Sequence, residues 1–199
     1  MPFVDNARNL MLNTFRTSAT HASLHSAFPG ATGTNEVTGG GYARQAATYN
    51  AAASGAVTLS GTLTFSVPAG NVAWLGAWSA VTAGTFYGYA PNGGFTAIDN
   101  FTVSTSTDTI TAIAHGYSDT QQIVFFGGTP PGGLTEGTIY FVKASTADTF
   151  QVAATSGGAA IDLTSVGSLL CVISRITVEV FASAGSATVS TFTHNLNMA

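Results

Sequence analysis

Apolar residues recur at every second position in short runs, and these runs are punctuated by glycine and proline. Leu63, Phe65 and Val67 alternate with Thr64 and Ser66 before Pro68-Ala69-Gly70-Asn71. Trp74, Gly76 and Trp78 fall on one side of a second run, with Ala73, Leu75 and Ala77 on the other. A period of two marks a strand, whose successive side chains point to opposite faces. Proline fixes φ and glycine accepts positive φ, so the punctuation turns the chain between strands. Composition pushes the same way. The chain holds 30 threonines and 23 glycines, and only 7% of it is charged. Stiff β-branched side chains pack well on a pleated surface. At 199 residues and 45% apolar content, the chain can bury a real core.

One helix interrupts this pattern. Asp5 is a good N-cap, and Ala7, Met11 and Phe15, with Leu12 beside them, form one apolar stripe running to about Arg16. The helix is expected to lie against a sheet or to plug into a neighbour. From Thr20 to Ser26, Ala22 and Leu24 oppose His21, Ser23 and His25, which predicts a half-buried strand with a polar outer face. Gly76 between two tryptophans leaves room for large rings or a crossing strand. Ala43 to Asn50 is ambiguous, and Thr85 to Ala90 reads as an aromatic strand.

Around Ile98 to Asn100 the texture changes to short strands at close spacing, and after Leu169 longer alternation returns. The expected organisation is a host β-sandwich in residues 1–98, an inserted small β-module in residues 99–168, and a closing hairpin of the host in residues 169–199. The fold class is therefore all-β: a sandwich of jelly-roll or immunoglobulin-like kind, with a short N-terminal helix and the inserted module. Insertion at an exposed loop is well tolerated where the chain leaves and returns at neighbouring points. A simple tandem of two domains is the alternative.

Charge excludes several functions. The net charge is −4, and the five basic residues (Arg8, Arg16, Arg44, Lys143 and Arg175) are scattered, so no patch exists to neutralise phosphates and no nucleic acid is expected as partner. No apolar run is long enough to span a membrane and no signal-peptide core is evident, so no membrane partner is expected and synthesis in the cytoplasm is. The single cysteine, Cys171, lies in the apolar run Leu169 to Ile173 and reads as a buried hydrophobe. A surface this poor in charge is weakly defended against association, so assembly is expected.

Catalytic chemistry finds no support. His21 and His25 are strand neighbours without a third nearby ligand, so no metal is expected. His115 follows a strand and caps a turn, and His194 has no G-x-S-x-G elbow beside it. Gly39-Gly40-Gly41 lacks the G-x-G-x-x-G spacing, which removes a nucleotide cofactor. Asp99, Asp108, Asp119, Glu136, Asp148 and Asp162 all stand at turns or strand ends, and turn chemistry accounts for Asp108, Asp119 and Asp148. Trp74, Trp78, Phe86, Tyr87 and Tyr89 read as sandwich core, with a sugar-binding platform as the alternative. No catalytic residue and no cofactor is assigned.

The sharpest local signal is the stretch Leu24 to Arg44. Phe28 ends a strand, Pro29-Gly30 turns the chain, and the three glycines permit bending or close approach to another surface. Its wording, LHxxxPGxxGxNEVxGGxYAR, resembles the opening of a family of small β-rich proteins of tailed-phage virions, the tail-fibre-like proteins. The resemblance continues through Phe65 to Gly70 and Leu75 to Ala80, ending at Gly84 to Gly88. Residues 108–164, DTITxxxHGYxDxxxIVFxGGxPPGGLxxGTIYFVxxxxADTFQVAxxxGGAAIDLT, separately resemble a small β-module of phage tail and other virion proteins.

These resemblances imply a non-enzymatic structural component of a tailed-phage virion, tail-associated as a fibre-like or adaptor protein. The alternatives are a capsid decoration or cement protein, a carbohydrate-binding module for host glycans and, more remotely, a glycan depolymerase. The implied partners are other virion proteins and further copies of the chain, a trimer above all, with a host glycan as a further candidate. Glu36, Gly39, Gly40, Gly41, Tyr42 and Arg44 are the expected interface residues, with Glu36 or Arg44 orienting the loop through a charge-assisted hydrogen bond; the alternative is an internally packed loop whose Arg44 caps its own sheet.

Overall fold

The computed structural model of the chain describes residues 5–93 and 98–195. It is an all-β sandwich with one short N-terminal helix, and the chain divides into two compact units. The first unit comprises residues 1–95 and 178–199, and the second residues 96–177.

The first unit opens with α1 (Asp5–Ser18). Its strands are β1 (His21–His25), β2 (Gln45–Ala46), β3 (Ala56–Thr58), β4 (Leu63–Val67), β5 (Gly70–Val72), β6 (Trp74–Trp78) and β7 (Phe86–Pro91). An antiparallel sheet runs in the order β2-β1-β6-β7. After the second unit the chain returns as β14 (Glu179–Phe181), β15 (Gly185–Val189) and β16 (Thr193–Asn195). These pair antiparallel with β5, β4 and β3 in turn. The closing hairpin read from the sequence is thus not a hairpin. Each returning strand takes its partner from the first part of the chain, a long-range choice that local alternation does not encode.

The core of this unit gathers Leu12, Ala22, Leu24, Tyr49, Val57, Phe65, Val67, Leu75, Ala77, Ala187, Val189 and Phe192, among others. Inward residues of β1 and β6 face inward residues of β4 and β15, as two packed sheet faces require. The helix stripe is rotated from the sequence reading. Leu12 is buried and Phe15 packs on the core, whereas Met11 is 50% exposed. Asn9 and Asn13, one turn apart, explain the rotation. Their side-chain oxygens accept the amides of Gly55 at 3.0 Å and Ala52 at 3.1 Å, which turns that side of α1 inward. On β14 the inward side chain is Phe181, while Val180 is exposed.

The second unit holds β8 (Thr102–Ser104), β9 (Thr109–Thr111), β10 (Gln122–Phe126), β11 (Ile139–Lys143), β12 (Thr149–Ala153) and β13 (Val172–Arg175). They form one antiparallel sheet in the order β13-β10-β11-β12-β9-β8. Its core contains Ile110, Tyr117, Ile123, Phe125, Tyr140, Phe150, Leu163, Cys171 and Ile173. Cys171 is buried as expected, and burial pushes its thiol up to about 11. Ile98 and Ile173 exchange backbone hydrogen bonds of 2.8 and 2.9 Å, so the segments near the two ends of this unit lie side by side.

Candidate functional site

The face of β1 expected to meet solvent does not. Ser23 and His25 are both fully buried. Their cross-strand partners on β6 are Gly76 and Trp74, and Trp78 stands opposite His21. The chain leaving His25 folds back over this face as far as Arg44. It is fastened by Ser26 N–H to Asn35 O at 3.0 Å and by Val37 N–H to Leu24 O at 2.9 Å. A strand that reads as half-buried is therefore covered on both faces, on one by the core and on the other by a segment next to it in sequence.

Beneath the loop runs one chain of hydrogen bonds. His25 Nδ1 lies 2.7 Å from the Thr34 carbonyl, which can only accept, so Nδ1 carries the proton. Nε2 then accepts the Ser23 hydroxyl at 2.7 Å, and Ser23 Oγ accepts the Trp78 indole N–H at 2.9 Å. Burial holds the His25 pKa below its ordinary value. Gly76 makes room for this chain. A Cβ there would fall on Ser23 Oγ, His25 Nε2 and the Phe86 ring. The glycine between two tryptophans thus accommodates a ring and a buried hydrogen bond.

Arg44 closes the loop. Its Nε and Nη2 donate to the two Glu36 oxygens at 2.9 and 2.7 Å, and its Nη1 donates to the carbonyls of Ala83 at 2.6 Å and Ala80 at 3.1 Å. The guanidinium carbon lies 3.4 Å from the centre of the Trp78 ring. Tyr42 hydroxyl donates to Glu36 at 3.2 Å and accepts the Leu24 amide at 2.8 Å, while burial raises its pKa. One arginine thus holds the loop, the turn between β6 and β7, and a tryptophan. This fork needs a planar guanidinium, not an ammonium.

The structure brings Glu36, Tyr42 and Arg44 together and leaves Gly39, Gly40 and Gly41 exposed beside them. Gly40 has φ of +61°, and a Cβ there would stand 2.9 Å from the Pro68 backbone. Shallow grooves flank Glu36 to Thr38. One is lined by Val67 to Val72 and the other by Tyr42, Arg44 and Val81 to Ala83. The Ser23–His25 pair has the atoms of a nucleophile and its base, but neither residue reaches solvent. The signal for it was present as Ser-x-His on one strand face, but alternation alone assigned that face to water.

Trp74 and Trp78 are buried, whereas Tyr87 is exposed. Phe28 meets Trp74 and Tyr89 edge-on at 5.1 and 5.0 Å, and Trp74 crosses Tyr89 at 80°. The carboxylates of the second unit hold backbone across long sequence gaps. Asp108 accepts from Leu163 N, Asp119 from Ser145 N, Asp148 from Ala114 N and Glu136 from Gly127 N, at 2.7 to 2.9 Å. His115 Nδ1 accepts the Tyr117 amide at 2.9 Å, the turn-capping role expected of it.

The fold is all-β, and its Glu36–Tyr42–Arg44 constellation grips the protein's own loop and backbone. Residues 5–111 match a family model described as Podophage GP4 fiber I protein gp80. The match spans more than half of the chain, and the chain belongs to this family of phage fibre proteins. A structural, fibre-like role in the virion follows from that membership. Comparisons with curated proteins and with solved structures give no match.

Proposed function

We propose that the chain is a non-enzymatic building block of the phage tail, fibre-like or adaptor in placement, which docks on neighbouring virion proteins through the loop of residues 28–44. The observation that carries this reading is the internal use of Glu36 and Arg44. Both are committed to holding the loop, which presents Thr38 to Gly41 and Ala43 to solvent on a rigid support. A preorganised surface loses little entropy on docking. In this reading Glu36, Tyr42 and Arg44 shape the surface, while Gly39, Gly40 and Gly41 admit the partner's backbone. Self-association as a trimer is part of the proposal and rests on the charge-poor surface. Scaffolding is favoured over glycan attachment because Trp74 and Trp78 are buried and the rings cross steeply. Residues 96–177 serve, in this proposal, as a module that folds by itself and enlarges the exposed surface.

The test is Ala43→Glu, an exposed position lining one groove. The variant is expected to fold, by circular dichroism, and to be missing from assembled particles when separated heads and tails are inventoried by mass spectrometry. Normal incorporation removes the loop as an interface, and recovery with heads alone moves the protein to the capsid.

A further inference from the structure

The two tryptophans of the chain both lie under the loop, Trp74 against Phe28 and Trp78 against Arg44. We propose that His25 is an acid-sensitive pin of this loop: a proton gained at Nε2 leaves the buried Ser23 hydroxyl without its acceptor and a cation in a closed site, and so frees residues 26–44 from the sheet, while the core on the opposite face stays packed.

The argument is one of donors and acceptors. Nδ1 already donates to Thr34 O, so only Nε2 can take a further proton. The neutral ring offers one donor and one acceptor, matched to Thr34 and Ser23; imidazolium offers two donors. Ser23 Oγ then faces two N–H groups, from His25 and Trp78, and its own hydrogen loses the acceptor it had. With both residues fully buried and Gly76 pressed against them, water has no access to repair the loss. An unmatched buried polar group is costly.

Burial outweighs Glu36 and the Thr34 hydrogen bond, and the nearby charges pull in opposite directions: Glu36 favours the cation and Arg44 opposes it. Glu36 is the carboxylate facing this region, and both its oxygens are engaged by Arg44, with Tyr42 hydroxyl on one of them. Arg44 itself is a cation over Trp78. His21, farther along the same strand, has its Nδ1 at 3.0 Å from Thr20 Oγ1. Burial already lowers the His25 pKa, so the ring is neutral at pH 7 and the pin is closed. Because the folded pKa lies below the unfolded one, the stabilisation is complete above the ordinary histidine range and is lost as pH falls beneath it.

The experiment is an acid titration of the full chain from pH 7.5 to 4, following tryptophan emission and far-ultraviolet circular dichroism together. The expected result is a red shift of emission with its midpoint below pH ~6.5, with the strand signal unchanged across it. The shift should vanish in His25→Gln and survive in His194→Phe, which removes the other imidazole with a lowered pKa. Constant emission down to pH 4, or a shift that persists in folded His25→Gln, overturns the proposal. Should His25→Gln not fold, long-range proton–nitrogen spectra of the wild-type imidazoles decide. His25 must be the Nδ1–H tautomer at pH 7.5, and its titration must coincide with the emission shift; a different tautomer or midpoint overturns the pin.

Discussion

Arg44 stacks on Trp78 with its guanidinium carbon 3.4 Å from the ring centre, while two of its nitrogens grip both oxygens of Glu36. Breaking this pair leaves the half-buried Glu36 without its partner. Arg44→Ala is expected to lower the stability of the first unit by about 3 kcal/mol in urea unfolding. Arg44→Lys should recover less than half, because an ammonium neither forks nor stacks. Full recovery by lysine would mean that only the charge matters.

Gly76→Ala is expected to cost about 2–3 kcal/mol, since the added methyl drives into Ser23, His25 and Phe86 in a packed layer. Gly61→Ala is the control, because nothing lies within 4 Å of a Cβ there, and it should change stability by less than about 0.5 kcal/mol. Denaturant midpoints of the two variants decide the matter.

His194 gives a second acid dependence. Its ring centre lies 4.3 Å from that of Phe15 and 4.6 Å from that of Phe192, and burial pushes its pKa down to about 3. The unfolded chain binds a proton near pH ~6.5 and the folded chain does not. The stabilisation is therefore complete above that pH and is lost progressively as pH falls toward the folded value. The urea midpoint of the first unit should drop between pH 7 and 4.5, and His194→Phe should reduce that slope. A slope unchanged by the substitution assigns the loss elsewhere.

Replacing residues 96–177 by a short Gly-Ser linker should leave the first unit unfolding as one cooperative transition. The paired segments at Ile98 and Ile173 put the ends of the removed unit side by side, and loop length costs little entropy. A broad, non-cooperative melt would mean that the two units depend on one another.

Asp108 adopts φ of +53° and accepts the Leu163 amide at 2.9 Å. Asp108→Asn keeps an oxygen acceptor and tolerates that backbone, so its thermal midpoint should stay close to wild type. Asp108→Ala loses both and is expected to cost about 1–2 kcal/mol in the second unit. Equal melting of the two variants would remove the clasp as a stabilising contact.

The strands themselves are local events, and the sequence determined them. Period-two alternation at Leu63 to Val67 and Trp74 to Trp78 needs only the pleat of a single chain, and the turns need only proline and glycine dihedrals. The wording of residues 24–44 marked the stretch in which Glu36, Tyr42 and Arg44 come together.

What that stretch does was decided by the tertiary structure. Ser23 and His25 carry polar atoms and so read as an outer face; they are inner because a neighbouring loop covers them and their bonds are met by each other, by Thr34 and by Trp78. Glu36 and Arg44 read either as charges that orient a docking loop or as part of an internally packed loop in which Arg44 caps its own sheet; in the fold they meet each other, eight residues apart, across a fold-back. The rotation of α1 turned on Asn9 and Asn13 finding amides at Gly55 and Ala52. The partners of β14 to β16 lie across the inserted segment. In each case the deciding contact joins residues whose proximity is a product of folding, and hydrogen-bond satisfaction in the assembled core outweighs the preference of any side chain for water.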